Sequence, residues 1–331
     1  METTKAQVMV KRSILGGDAA RKFAAFGALI AMFVVFSLAS SNFLSFSNVV
    51  GILLATAVNG VLALGVTFVI ITAGIDLSVG TVMTLSAVMT GVFITNLGLP
   101  LPIGIVGGIG AGALAGFANG AMIAKMKIPP FVATLGMLYI AKGLALVISQ
   151  LKPIYFTNTP SFSEFGMGSV LGAIIPGFNI PNAVLIFFLA ALLASFILNK
   201  TILGRYTFAL GSNEEATRLS GVNVDTWKIA VYTLAGAFAG LGGVLMASRL
   251  NSAQPALGAG YELDAIAAVV IGGTSLSGGE GTIMGTVIGA FIISTLTNGL
   301  RILSVPQEWQ IVVTGGILVL AVFADMLRRR K

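Results

Sequence analysis

Residues 49–72 read VVGILLATAVNGVLALGVTFVIIT. No charge interrupts this run, and Asn59 is its one amide side chain. As an α-helix it would extend about 36 Å, enough to cross ~30 Å of hydrocarbon. Comparable runs recur along the 331-residue chain, which is 56% apolar and 9% charged, with a mean hydropathy of +0.98. Soluble domains carry about a quarter charged residues. Closed β-barrels alternate weakly in polarity rather than showing long unbroken apolar runs.

The sequence therefore predicts an all-α fold, a polytopic transmembrane helical bundle of about ten membrane segments. They fall near 23–41, 49–72, 79–96, 101–124, 131–149, 182–198, 228–248, 263–273, 281–300 and 307–325. The eighth is too short to cross alone and runs into a glycine-rich turn, so one or more segments are expected to be broken or re-entrant. The organisation read from the chain is an N-terminal tail over 1–22, a membrane domain over 23–327 and a basic C-terminus over 328–331. Ser37-Leu38-Ala39 resembles a signal-cleavage site, but the hydrophilic lead is long and the apolar run approaches full span length, which favours an uncleaved first helix.

Charge gives the sidedness. With the N-terminus inside, fifteen basic residues fall on inner segments, from Lys5 to Lys22, at Lys125, Lys127, Lys200, Arg205, Arg218 and Lys228, and over 328–331. The outer segments hold Lys152, Arg249 and Arg301, and Lys142 lies within a span. Both termini are expected in the cytoplasm, with a cytoplasmic loop over 199–227 and an external loop over 150–181. The net charge of +7 is thus read as sidedness, with no nucleic-acid partner expected. The chain has no Cys and no His, which excludes disulfides, histidine proton relays, Ser-His-Asp triads and HExxH zinc sites; no metal site and no catalytic residue are expected.

The stretch Leu276-Ser277-Gly278-Gly279-Glu280 lies close to the LSGGQ signature of ABC ATPases. ATP chemistry needs a phosphate cradle with its Lys and a magnesium site, and no Gly-Lys dipeptide occurs in the chain. A helix break or re-entrant turn is the better physical account. Gly74–Gly80 echoes Gly273–Gly279, and Asn119-Gly120 is echoed by Asn298-Gly299; the echo is open between a duplication and biased composition. Gly108, Gly112, Gly116 and Gly120 recur at four-residue spacing, as do Gly281, Gly285 and Gly289, and Gly236 with Gly240. That spacing aligns them on one helical face and predicts close helix packing.

Within the inner loop, Ser212 followed by Glu215 forms a capping-box pattern, and Gly221 can end a helix in the left-handed conformation. A two-turn helix over 213–220 is expected, presenting Ala216 and Leu219 to one side. Such a helix is either a solvated loop helix or a docking surface for a soluble partner.

Glu215-Ala216-Thr217, followed by Gly221, resembles the EAA loop of ABC importer permeases, with Thr217 standing where that loop has a second Ala. Arg218–Asn223, Ser252–Pro255, Gly260–Val270, Gly74–Gly80 and the 272–279 run are similar to the ribose/xylose/galactose-type sugar branch of that family. The similarity covers nearly the whole chain from about residue 43. It implies a non-enzymatic permease subunit in a bacterial inner membrane, importing a monosaccharide of ribose type. Its implied partners are a cytoplasmic ABC ATPase, which would hydrolyse ATP with Mg, a periplasmic or lipid-anchored sugar-binding protein, and a second permease copy. This chain itself would bind no cofactor. The ATPase would dock on Ser212, Glu214, Glu215, Ala216, Arg218, Leu219 and Gly221.

Polar groups at membrane depth are the remaining candidates, because a mid-bilayer charge costs about 2.5–3.5 kcal/mol on insertion scales. Asp76 either lies at the inner surface, hydrated or capping the next helix, or faces the substrate pathway; Ser78, Ser275 and Ser277 share the two glycine-flanked turns. Lys142 either snorkels outward or takes an internal position. Asn59 either bonds a neighbouring helix or lines the route. The rival function is a secondary transporter of a small polar solute, driven by an ion gradient, for which Asp76 is the one weak proton-carrying candidate.

Overall fold

The computed structural model describes residues 25–329. The expected tail over 1–22, the start of the first segment at 23–24 and residues 330–331 of the basic C-terminus lie outside the described residues. In chain order the helices are α1 (Ala25–Ala39), α2 (Phe46–Ile71), α3 (Val79–Gly91), α4 (Leu101–Ala124) and α5 (Pro130–Ile148). A strand β1 (Ile154–Tyr155) follows, then α6 (Pro160–Met167), α7 (Val170–Ile174), α8 (Asn182–Lys200), α9 (Ile202–Ser212) and α10 (Glu214–Leu219). The chain closes with α11 (Val224–Leu250), β2 (Ser252–Ala253), α12 (Tyr261–Ile271), α13 (Ile283–Ile302) and α14 (Gln307–Arg329).

Among the described residues, seven helices are long and apolar enough to cross a membrane: α2, α3 with its π-helical extension to Asn96, α4, α5, α8, α11 and α13. The predicted count of about ten is not reached on these criteria. α1 falls short in length, and α12 has 11 residues.

α2 explains why the opening stretch is apolar on every side. All residues from Gly60 to Ile71 are buried, so this is a central helix and no amphipathic stripe is needed. Its close neighbours are α8, where Phe187 meets Gly60, and α11, where Ala235 and Phe238 meet Gly65. A hydrogen bond of 2.7 Å joins Thr67 Oγ1 and Thr286 Oγ1, tying α2 to α13.

The glycine stripes are packing surfaces. A Cβ on Gly112 would strike the Gly236 carbonyl and come within 2.8 Å of the Gly240 backbone; one on Gly116 would strike the Tyr232 carbonyl. Gly120 faces Ile229, and Gly108 faces Ser86 and Thr90 of α3. Gly281 lies ahead of the Thr282 cap rather than on the α13 face expected for it, and abuts Ile71; on α13, Gly285 abuts the Gly272 carbonyl and Gly289 the Ala268 carbonyl. Helix axes can approach this closely only where both surfaces lack side chains. Of the two Asn-Gly pairs, Asn119 is buried near the C-terminal end of α4, and Asn298, near that of α13, donates to Asn48 Oδ1 at 3.0 Å.

The 150–181 stretch is not an open loop. β1 pairs antiparallel with β2 through Ile154↔Ala253 and Tyr155↔Ser252. Ser248 Oγ donates to the Phe162 carbonyl at 2.6 Å and accepts from Gly166 N–H at 2.9 Å, fastening α6 to the end of α11.

The short eighth segment, expected over 263–273, is helical as α12 up to Ile271, and residues 254–260 ahead of it run as turns. Ile154 of β1 lies against Gly91, at the far end of α3, while Gly258 lies against Gly80, near its start. Those two α3 positions are separated by about 16 Å of helix rise. The chain leaving β2 therefore runs along α3 toward its start before α12 begins, passing Thr84, whose hydroxyl donates to the Leu257 carbonyl. Gly258 and Gly260, at φ +98° and +97°, permit the turn into the helix.

Candidate functional site

At the bundle end opposite the strands, α9 and α10 replace the expected loop over 199–227. Asn213, at φ −163° and ψ 101°, caps α10, its side chain accepting from Ala216 N–H at 2.9 Å. The cap is thus Asn213 rather than Ser212, which is consumed as the last residue of α9. Asn caps as well as Ser, so the helix begins one residue later than the capping-box pattern suggested. Gly221 adopts φ +83°, the expected left-handed stop.

Thr217 is buried, and its hydroxyl donates to the Ala209 carbonyl at 3.0 Å and the Asn213 carbonyl at 2.8 Å. An Ala there could not make the bridge to α9, which gives Thr217 a physical role that motif reading missed. Glu214 pairs with Lys228 of α11 at 2.6 Å and with Arg218 at 3.1 Å. Partial burial would raise the Glu214 carboxyl, but these two cations hold it below the usual carboxylate range. Asp225 pairs with Lys127 at 2.9 Å and Lys125 at 3.3 Å, tying the ends of α4 and α11 together. Glu215, Ala216 and Leu219 are left exposed, Leu219 by 80%. The helix is therefore held rigidly on one side and bare on the other.

Beneath α10 the two glycine-flanked turns meet. Gly279 N–H donates to the Ile71 carbonyl at 2.9 Å. Gly278 packs on Ala73 and the Gly211 carbonyl, and Gly279 packs on Ser212. A Cβ on Gly211 would strike the Ile71 carbonyl and approach Gly279 N to 2.5 Å. Both turns therefore lie at the α10 end and touch the residues that lead into it.

The polar candidates separate. Asp76 is buried, so the hydrated-surface alternative does not hold. It accepts from Ser78 N–H at 2.8 Å and Ser78 Oγ at 2.6 Å, and Asn119 Nδ2 donates to Ser78 Oγ at 2.9 Å. The Ile75 carbonyl accepts from Tyr232 Oη at 3.3 Å. These bonds fix the 72–78 turn to α4 and α11. Ser275 is buried; Ser277, further along the same turn, is exposed and only its N–H reaches back, to Ser275 Oγ at 3.1 Å. Lys142 is exposed on α5, away from the packed core, beside exposed Tyr139. Asn59 is half-buried on α2, with its Oδ1 enclosed and without a hydrogen-bond partner. Asp76, Ser78 and Asn119 thus form one network, which Lys142, Asn59 and Ser277 do not join. No group of three or more acidic ligands that could hold a metal occurs among the described residues.

A family profile described as "Branched-chain amino acid transport system / permease component" matches residues 48–322. The chain is 40% identical to the ribose import permease protein of Escherichia coli K12, over 97% of this chain and 95% of that one. It is 41% identical to the ribose import permease protein of Bacillus subtilis 168, over 98% of each. It is 38% identical to the fructose import permease protein of Rhizobium meliloti, over 84% of this chain and 78% of that one. No solved structure gives a significant match.

Proposed function

This chain belongs to the permease family of ABC sugar importers, and on that premise we propose that it carries a ribose-like monosaccharide across a bacterial inner membrane, driven by a separate ATPase seated on α10. The observation that carries the docking assignment is the two-faced build of that helix. Thr217 and the Glu214–Lys228 pair bind one side to α9 and α11, and Glu215, Ala216 and Leu219 stand bare on the other. A large exposed apolar side chain on a rigid, polar-rimmed helix is the composition of a protein-binding surface.

The α10 end faces the cytoplasm in this reading. Lys125, Lys127, Lys200, Arg205, Arg218 and Lys228 gather there, on the elements that end or begin beside α10. α1 and α14 cross the membrane with the seven long helices, and α12 with the turns over 254–260 that lead into it makes the tenth segment. Sugar reaches the opposite face from a binding protein. Two copies of the chain pair through the exposed face of α5, where Gly136, Tyr139, Gly143 and Val147 lie at helical spacing and nothing covers the two glycines.

Ribose is favoured by the two ribose-import relatives, at 40% and 41% identity. The test is co-purification of the cognate ATPase with Leu219→Glu and Glu215→Lys, each expected to abolish the complex. A fully coupled complex retained by both variants would overturn the docking assignment.

A further inference from the structure

We infer that Lys200 and Arg205, on either side of the α8–α9 bend, hold the phosphate of an anionic phospholipid of the inner leaflet, whose chains lie along the bare face of α8; this rests on the cytoplasmic placement of the α10 end. The cations at that end divide into two sets. Lys125 and Lys127 pair with Asp225, and Arg218 and Lys228 pair with Glu214. Lys200 and Arg205 are exposed and, among the described residues, have no carboxylate partner. Ion pairs within the chain therefore account for the first set and leave the second for a ligand.

Local structure brings these two cations together. Thr201 is the one residue between α8 and α9. Its N–H donates to the Ile197 carbonyl at 3.4 Å, and its own carbonyl accepts from Arg205 N–H at 3.3 Å. Its hydroxyl accepts from Gly204 N–H at 3.4 Å. A Cβ on Gly204 would strike the Leu198 carbonyl, so the first turn of α9 lies directly against the last turn of α8.

Beside them the surface is apolar. Leu189, Leu192, Leu193 and Phe196 are each more than half exposed. They share one face of α8, with Lys200 four residues beyond Phe196 on the same face. Ile202, which opens α9, is also exposed. Along a membrane-spanning helix such a stripe meets acyl chains, and a Lys one turn past its end reaches headgroup level. Tyr206, next to Arg205, has its ring centroid 4.8 Å from that of Trp227. Tyr and Trp collect at the membrane–water interface, so this pair marks the same level.

That setting selects a lipid with net negative charge. Arg offers a planar fork to phosphate oxygens and Lys a point charge. A zwitterionic headgroup brings its own cation and gains less from the pair. Thr217 of α10 bonds the Ala209 carbonyl of α9, so a lipid held here anchors the docking helix to the bilayer.

The test reconstitutes the full-length permease in vesicles of phosphatidylcholine and phosphatidylglycerol. The chain has two Trp, and Trp309→Phe leaves Trp227 as the reporter. Phosphatidylglycerol with brominated chains should quench Trp227 more strongly than equally brominated phosphatidylcholine at the same mole fraction. Lys200→Gln and Arg205→Gln should each cut that preference about fivefold, the effect of one basic residue near an anionic surface. The double variant should show no preference. Equal quenching by the two lipids in the parent would overturn the inference, as would a preference that the double variant keeps. A preference abolished by inorganic phosphate, but not by chloride at equal ionic strength, would overturn it by assigning the cations to a soluble anion. ATPase binding to the double variant in detergent should match the parent, which also shows that the variant is folded. Loss of that binding with the lipid preference intact would overturn the inference by making both residues part of the partner's seat. Both leaflets carry the lipid, so the quenching result is independent of which bundle end is cytoplasmic. That placement is checked separately: the chain has no native Cys, and labelling of Leu219→Cys by an impermeant thiol reagent in intact cells would refute it.

Discussion

The N–H of Gly279 donates to the carbonyl of Ile71 at 2.9 Å, joining the 272–281 turn to the end of α2. Gly211, two residues ahead of the α10 cap, fills the angle between them with no room for a side chain. The run that imitates an ATPase signature therefore lies directly beneath the helix proposed to receive the ATPase. Displacement of α10 reaches α2 and α13 through this three-way contact.

Gly211→Val should separate these backbones. Uptake should be lost while the ATPase still binds and hydrolyses ATP, because the docking face is untouched. Paired measurement of uptake and ATP hydrolysis in reconstituted complexes checks this. Joint loss of both would instead indicate general misfolding.

The glycine contacts between α4 and α11 give a graded expectation. Gly112→Ala places a methyl against the Gly236 carbonyl, whereas at Gly110 nothing lies within 4 Å. Overpacking of this kind typically costs about 1–3 kcal/mol. Thermal unfolding of the purified protein should show Gly112→Ala clearly destabilised and Gly110→Ala close to the parent.

Thr217→Ala removes both hydroxyl bonds and should loosen α10 by roughly 1 kcal/mol. Thr217→Ser keeps the donor and should behave as the parent. Affinity for the ATPase, measured by titration in detergent, should order the three proteins accordingly.

The bundle architecture was legible because residues 49–72 and their counterparts are apolar for a purely local reason, the need to cross or fill a membrane-embedded core. The glycine stripes were legible for the same reason: their periodicity is the packing. The burial of Asp76 was not, since it depends on Asn119 of α4, 41 residues on, meeting Ser78. Nor was the Glu214–Lys228 pair, which spans two helices. The Gly260–Gly279 block was read as a family signature and a short span; the run of residues 254–260 along α3 that leads into it follows from β2 pairing with β1.

Acid should loosen α10 in a defined direction. Glu214 carries a depressed pKa, so its stabilisation is present above the unfolded value of about 4.3 and is lost as pH falls through the lower folded value. Between about pH 8 and 5 the ATPase complex should be unaffected by this group. Glu214→Gln should weaken it at neutral pH by less than about 1 kcal/mol, because the partners are partly exposed, and should remove this residue's share of the acid dependence. Complex dissociation followed against pH for both proteins reads this.

Sugar uptake into vesicles containing this chain, its ATPase and its binding protein tests the central claim most directly. Accumulation should require all three proteins and ATP, and should be indifferent to an uncoupler. Accumulation by this chain alone, sustained without ATP and abolished by the uncoupler, would contradict it.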